Sequence, residues 1–223
     1  IMRRDTSGVA LRVIDDGRIG FTSTTDVSRE SELIERAATL VPFGSEAAFE
    51  FPGPSEYPSV DIVDPAVPQV AQQAMIDTGQ GLIERLLEEW PELLCDTRIG
   101  WSTGRGRLMN SAGIDAEYEQ TSYYCSLGAQ LIRGTDMLNV WAGFGSSHLF
   151  GEVELDRLLQ TVRRSLRWSK ETAQATASSG ELPVILTPRG VGATLLHPLM
   201  SGFNGKNVAN GSSPLGDRWG EKI

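Results

Sequence analysis

The chain has 223 residues, 40% of them hydrophobic, with five tryptophans and charge spread along its length. That is the composition of a folded globular protein, and it excludes a disordered one. A net charge of −9 and a pI near 4.8 argue against direct binding of nucleic acid by the whole surface, since phosphate repulsion would oppose contact. The length admits one large domain or two small ones. Two cysteines, Cys95 and Cys125, are too few for a disulfide scaffold and suit a reducing cytoplasm. No apolar run reaches membrane-spanning length, and residues 1–4 do not form a signal peptide. The chain starts at Ile1 and stops at Ile223 just after a glycine-rich stretch, so a fragment of a longer protein is expected.

Residues 8–25 read as a β-hairpin: GVALRVI and RIGFTST alternate apolar and polar residues around Asp15-Asp16-Gly17. Asp26 offers a helix N-cap, and the segment after it places Leu33, Ile34, Ala37, Ala38 and Val41 on one helical face. Prolines at 42, 52, 54, 58 and 65 mark an extended linker. A second helix is predicted from Asp64-Pro65 to about Trp90, with Val67, Val70, Ala71, Ala74, Met75, Leu82, Ile83, Leu86, Leu87 and Trp90 as its apolar set.

A strand-rich block follows. TRIGWST and RLMNS flank Gly104-Arg105-Gly106, then comes the long IDAEYEQTSYYCSLGAQLIR, and LNVWAGFGSS closes a meander after Gly134-Thr135-Asp136. A third helix, 152 to about 170, carries Val153, Leu155, Leu158, Leu159, Val162 and Leu166 on one face, with Arg157, Arg163, Arg164 and Arg167 largely on the other. Residues 173–180, AQATASSG, form a small-residue linker. Residues 183–186 read as a short strand, followed by a Thr-Pro break and a helix from Gly190 with His197 on its apolar face.

His197 draws attention because a strand feeding a histidine-bearing helix is where a metal-dependent hydrolase places its first ligand. Its neighbours do not complete a site. The helical zinc signatures need a glutamate beside the first histidine as general base, and a second histidine about a turn on. Here Pro198 and Gly202 occupy those positions of an HExxxH motif. On an apolar helix face, a lone histidine is more often a packed core residue than a ligand. His148 has no acidic or thiol partner at motif spacing and reads as a loop histidine. Cys95 and Cys125 read as buried hydrophobes. The pairs Gly104/Gly106 and Gly143/Gly145 lack the third glycine of a dinucleotide loop and read as turns and strand ends. There is no Gly-x-Ser-x-Gly elbow. The arginine face of the third helix reads as solvated, Asn110-Ser111-Ala112-Gly113 as a turn, and the sequon Asn210-Gly211-Ser212 as a turn.

Several stretches, in order, resemble the TldD/PmbA family, the "modulators of DNA gyrase" that include metallopeptidases. They are GVALRVIDDGRIGFTSTTD, RLMNSAGIDAEYEQTSYYCSLGAQ, LPVILTPRGVGATLLH and SGFNGKNVANGSSPLGDRWGEKI. The resemblance covers most of the chain. It implies an α+β fold, antiparallel sheets with flanking helices, arranged as a partial N-terminal domain (1–44), a middle domain of helix plus antiparallel sheet (58–172) and the start of a C-terminal domain (181–223). It also implies paired subunits, one kind carrying HExxxH and a metal and the other lacking it. Only the first ligand position survives here, as His197, so the chain is similar to the PmbA-like branch. The expectation is therefore no catalytic, cofactor-binding or metal-ligating residue in this chain, with zinc, where present, in a partner subunit. The implied partners are a homologous subunit, as homodimer or heterodimer, and an unfolded peptide substrate, with no direct nucleic acid and no membrane. A protein-binding regulator without a peptidase role is the alternative.

Overall fold

Two short antiparallel strands, β1 (Val9–Asp15) and β2 (Arg18–Thr24), pair in register from Val9 with Thr24 to Asp15 with Arg18. Asp16 and Gly17 both take positive φ, 45° and 68°, the two-residue turn whose twist matches its strands. Across this hairpin lies α1 (Glu30–Leu40), continued by a 3-10 turn at Val41–Phe43. Leu33, Ala37 and Val41 are buried. Ile34, placed by periodicity on the same face, is 58% exposed, because a two-stranded sheet is too narrow to cover the whole stripe. The helix also starts later than Asp26. That carboxylate accepts from the backbone and hydroxyl of Ser28, closing a local turn that competes with helix. Gly20 is where hairpin and helix touch: a Cβ there would lie 2.0 Å from the carbonyl oxygen of Ala37.

The computed structural model describes residues 2–47, 49–170, 180–181, 183–218 and 220–221. By contact the chain divides into two compact units, residues 1–172 and 173–223. In the first unit, the described residues of the proline-marked stretch after the turn at Val41–Phe43 form no helix or strand up to a 3-10 turn at Val67–Gln69, as their composition predicts. The second helix, α2 (Gln72–Leu87), starts later than Asp64-Pro65. Pro68 sits in the 3-10 turn and Val70 is extended (φ −62°, ψ 117°), which breaks the run. Its later half buries Leu82 and Leu86 as expected, but the helix ends at Leu87, so that Trp90 is buried just past it, and Ala71 and Ala74 are exposed.

The meander is one three-stranded antiparallel sheet, β3 (Leu94–Met109), β4 (Asp115–Arg133) and β5 (Asp136–Ser146), in the order β3-β4-β5. Gly104 and Gly106 lie inside β3, and Gly143 and Gly145 inside β5, rather than at turns or strand ends. Tyr118 overlies Gly106 and Tyr124 overlies Gly100 on the neighbouring strand, so cross-strand aromatics fill the space the missing side chains leave. The turns fall at Asn110–Gly113, where Asn110 accepts from Ala112 and Ile114, and at Gly134-Thr135.

The long helix α3 (Glu152–Lys170) matches its expected span. It packs with α2 on one face of the sheet. Leu155, Leu158, Leu159, Val162 and Leu166 meet Cys125, Leu127, Ala129 and Leu131 in one apolar cluster. The odd-numbered residues of β4 from 121 to 131 are buried and the even-numbered ones are not, the period-2 signature of a sheet covered on one side. Fold class is therefore α+β, antiparallel sheets with flanking helices.

In the second unit the strand expected at 183–186 does not form. Val184 and Ile185 are 76% and 95% exposed, and no strand among the described residues of this unit offers its backbone a partner. The expected linker over 173–180, apart from Gly180, lies outside the described residues, as does Leu182. Helix starts at Pro188 instead of Gly190, in α4 (Pro188–Val191), because Thr187 accepts a cap hydrogen bond from Gly190 and proline suits the first helical position. A π turn over Gly192–Leu196 leads into α5 (His197–Gly202). Pro198 has no N–H to give and its ring crowds the preceding turn, which a wider turn accommodates. A short α6 (Gly205–Ala209) is capped by Asn204, and Gly211 in the sequon has a φ of 68°, a turn as expected.

Leu159→Ala should cost about 2–5 kcal/mol of unfolding free energy, as for deletion of a fully buried leucine. Ile34→Ala should stay within about 0.5 kcal/mol, as for an exposed site. Urea midpoints of the two variants measure the difference.

Candidate functional site

The side chains singled out by sequence do not converge. His197 opens α5 and is exposed, not packed in a core as its apolar surroundings predict. Leu195, Leu196, Leu199 and Met200 around it are 47%, 55%, 41% and 68% exposed, and no layer among the described residues of this unit covers this helix. Pro198 and Gly202 supply no donor, and no group of three His, Cys, Asp or Glu side chains capable of holding a metal occurs among the described residues. One exposed imidazole does not fit a zinc site, which needs three protein ligands at least.

The cysteines lie on adjacent strands, Cys95 opposite Ala129 and Cys125 opposite Ile99. They are therefore four residues apart along the ladder, roughly 13 Å, too far for a disulfide. Burial pushes the Cys125 thiol up to about 11; burial, then Asp96, raises Cys95. Both are poor nucleophiles at neutral pH. The arginines of α3 are engaged: Arg163 and Arg167 pair with Glu89, Arg157 with Glu154, and Arg164 stacks on Trp168.

His148 has a partner that motif spacing could not reveal. Its Nε2 lies 3.1 Å from Asp61 Oδ1, across 87 residues of sequence, and its Nδ1 lies 3.0 Å from Ser147 Oγ. The knot is larger. Thr121, buried in β4 just past the last rung shared with β5, accepts a hydrogen bond from Asp64 N (2.9 Å) and donates to the Ser147 carbonyl (2.6 Å). Its own N–H donates to the Ile62 carbonyl at 2.9 Å. Asp64 accepts from Leu149 N and Ala66 N, both at 2.9 Å. These two bonds, the Leu149 one foremost, hold its carboxyl below the usual carboxylate range.

Ser147, His148 and Asp61 share the residue types of a hydrolase triad, but the surroundings are those of a tether. The backbone N–H of His148 donates to Ser146 Oγ and that of Leu149 to Asp64 Oδ2. Neither is left for an oxyanion. Asp61, 88% exposed, holds the ring from the solvent side. The knot fastens the extended segment before α2 to the end of the sheet and to the loop leading into α3.

Among the described residues of the first unit, no helix or strand packs on the other face of the sheet. Opposite the helices, β3 presents Leu94, Asp96 and Arg98, β4 Tyr118, Tyr124 and Gln130, and β5 Asn139 and Trp141. Sequence reasoning missed this face because it read the alternating glycines as interruptions. β3, an edge strand of 16 residues, has no strand partner on its outer side among the described residues.

Thr121→Val should lose about 1–3 kcal/mol of stability by leaving the half-buried Asp64 N–H and Ser147 carbonyl without their partner. It should also speed protease cleavage within residues 49–63; unchanged urea midpoint and cleavage rate would contradict the knot. Asp26, Asp64 and Asp115 all have lowered carboxyl pKa values, through Ser28, Leu149 and Arg107 respectively as first cause. Their contribution is present above the unfolded carboxylate pKa and fades as pH falls through the lower folded one. Thermal stability should therefore drop below about pH 4, and less steeply in Asp64→Asn, as differential scanning fluorimetry across pH 2–7 would show.

The comparisons with known proteins agree with this architecture. Residues 3–41 match the family model described as PmbA/TldA metallopeptidase domain 1, and residues 179–223 match the PmbA/TldA metallopeptidase C-terminal domain. No curated protein matches the sequence. Among solved structures, a candidate modulator of DNA gyrase from Bacteroides thetaiotaomicron superposes with a TM-score of 0.80 at 19% identity, over 97% of this chain and 51% of that one. TldE from Thermococcus kodakarensis gives 0.73 at 18% identity, over 98% and 50%. A candidate modulator of a DNA gyrase from Thermotoga maritima gives 0.77 at 16%, over 97% and 49%. The chain thus spans about half the length of each of these structures. Two domain models of the PmbA/TldA metallopeptidase family thus match the two ends of the chain in order, and the chain shares the fold of these structures across the segment between them.

Proposed function

We propose that this chain is a non-catalytic part of a TldD/PmbA-type cytoplasmic peptidase assembly, serving as scaffold and docking surface for unfolded peptides, with zinc, where the assembly holds it, in a homologous partner subunit. Residues 1–44, 58–172 and 181–223 would be its N-terminal, middle and C-terminal parts. The observation that carries the reading is the long edge of β3, unpaired among the described residues, in a chain whose two ends match models of metallopeptidase-family domains. An extended peptide can add to such an edge by main-chain hydrogen bonds, independent of its sequence. The donor set at His197, Pro198 and Gly202 supports the non-catalytic half of the proposal, since a lone imidazole can neither fix a metal nor supply the neighbouring carboxylate base. No helix among the described residues is long and apolar enough to cross a membrane.

A second reading, a protein-binding regulator, is favoured by the two gyrase-modulator structures among the neighbours. An acidic surface would help it meet a basic partner.

The purified chain should bind unfolded peptides, hold less than stoichiometric zinc and leave peptides uncut unless a homologous subunit carrying HExxxH is added. Stoichiometric zinc with cleavage by the chain alone would overturn the scaffold role. A stable complex with a topoisomerase, formed without peptide binding, would instead establish the regulator.

A further inference from the structure

The sheet face opposite the helices contains a cavity of about 320 Å³ whose walls are chemically uneven, a size suited to a side chain or small ligand. Its centre is one rung of the ladder. Asp96 on β3 pairs with Gly128 on β4, which pairs in turn with Trp141 on β5. Gly128 makes the floor: a Cβ there would come within 2.5 Å of Asp96 Oδ1, so the carboxylate leans over the glycine. Two strand spacings, roughly 9–10 Å, separate the backbones of Asp96 and Trp141.

The next rung is Leu94, Gln130 and Asn139. Gln130 Nε2 donates to Asn139 Oδ1 at 2.9 Å, which fixes the two amides beside the cavity. Trp141 is 60% exposed and Leu94 61% exposed. Asp96 makes no ion pair or hydrogen bond among the described residues. Arg98, two residues along the same strand and face, does not close an ion pair with it.

An ionised carboxylate, an indole, fixed amides and an apolar flank around a glycine floor make a receptor for an organic cation. We propose that this cavity binds the side chain of a lysine or arginine in an extended peptide, an inference that rests on the peptide-docking reading. The cationic head meets Asp96 and the Trp141 ring, as ammonium and guanidinium groups do over aromatic faces. The methylene stem lies along Leu94, since long cationic side chains bury their stems on apolar surface. Charge supports this occupant over the others: a chain of net charge −9 attracts basic peptides and repels acidic ones and copies of itself.

The test is calorimetric titration of the whole chain with two blocked pentapeptides, alanine throughout except for a central lysine in one and a central norleucine in the other. The lysine peptide should bind roughly tenfold more tightly, a margin that shrinks at high salt. Asp96→Asn and Trp141→Ala, both at exposed positions, should each reduce that margin while the chain stays folded by circular dichroism. Equal affinity for the two peptides, or a margin unchanged in Asp96→Asn, overturns the proposal. If both peptides bind equally, edge docking stands and this cavity is not its specificity site. If neither peptide binds, both readings fall.

Discussion

Packing of α2 and α3 against a single face of the three-stranded sheet is the constraint on which the first unit depends. Leu86, Leu127, Leu159, Val162 and Leu166 are almost wholly withdrawn from water in that layer. Burial of apolar side chains is the main favourable contribution to folding, and here nearly all of it lies on one side of the sheet. The consequence is an asymmetry. Residues of β4 that face the helices are chosen by volume, whereas those on the other side are relieved of packing and can be glycine, amide, carboxylate or exposed aromatic. A sheet covered on both faces would leave no position at which Asp96 and Trp141 could meet solvent across a glycine.

The knot around Thr121 completes this arrangement at the other end of the sheet. β5 stops pairing at Tyr123, and the backbone of β4 beyond it would be left open. The extended segment takes over there through Ile62 and Asp64, and the loop after β5 is tied in by Ser147 and His148. Ordered structure in a proline-rich stretch is thus achieved without helix or strand, by lending its polar groups to a neighbour that lacks them.

Much of the fold was legible from local pattern because the relevant signals are local. The 3.6-residue stripe of α3 and the turn at Asp16-Gly17 were read from a dozen residues each. The start of α2 was not, because a proline at 68 and an extended Val70 interrupt a pattern that otherwise looks helical. Gly104 and Gly106 misled in the opposite direction: inside a strand they are tolerated because Tyr118 and Gln120 cover them from β4. The candidate sites were the least legible part. His148 meets Asp61 only after 87 intervening residues have folded, and Asp96 and Trp141 share a rung only through register. The strand expected at 183–186 illustrates the converse limit, since apolar sequence does not become sheet without a second backbone to pair with.

The π turn ahead of Pro198 carries a consequence for how this helix is compared with others. Each α-helical residue advances the wheel by roughly 100°, and a π turn interpolates one residue into the winding. Every side chain from His197 onward is therefore rotated relative to where an uninterrupted wheel drawn from Pro188 would put it. Aligning this helix to a relative by counting positions preserves letters but not azimuth: identical residues after the bulge face directions roughly 100° apart in two proteins that differ only in whether the extra residue is looped out.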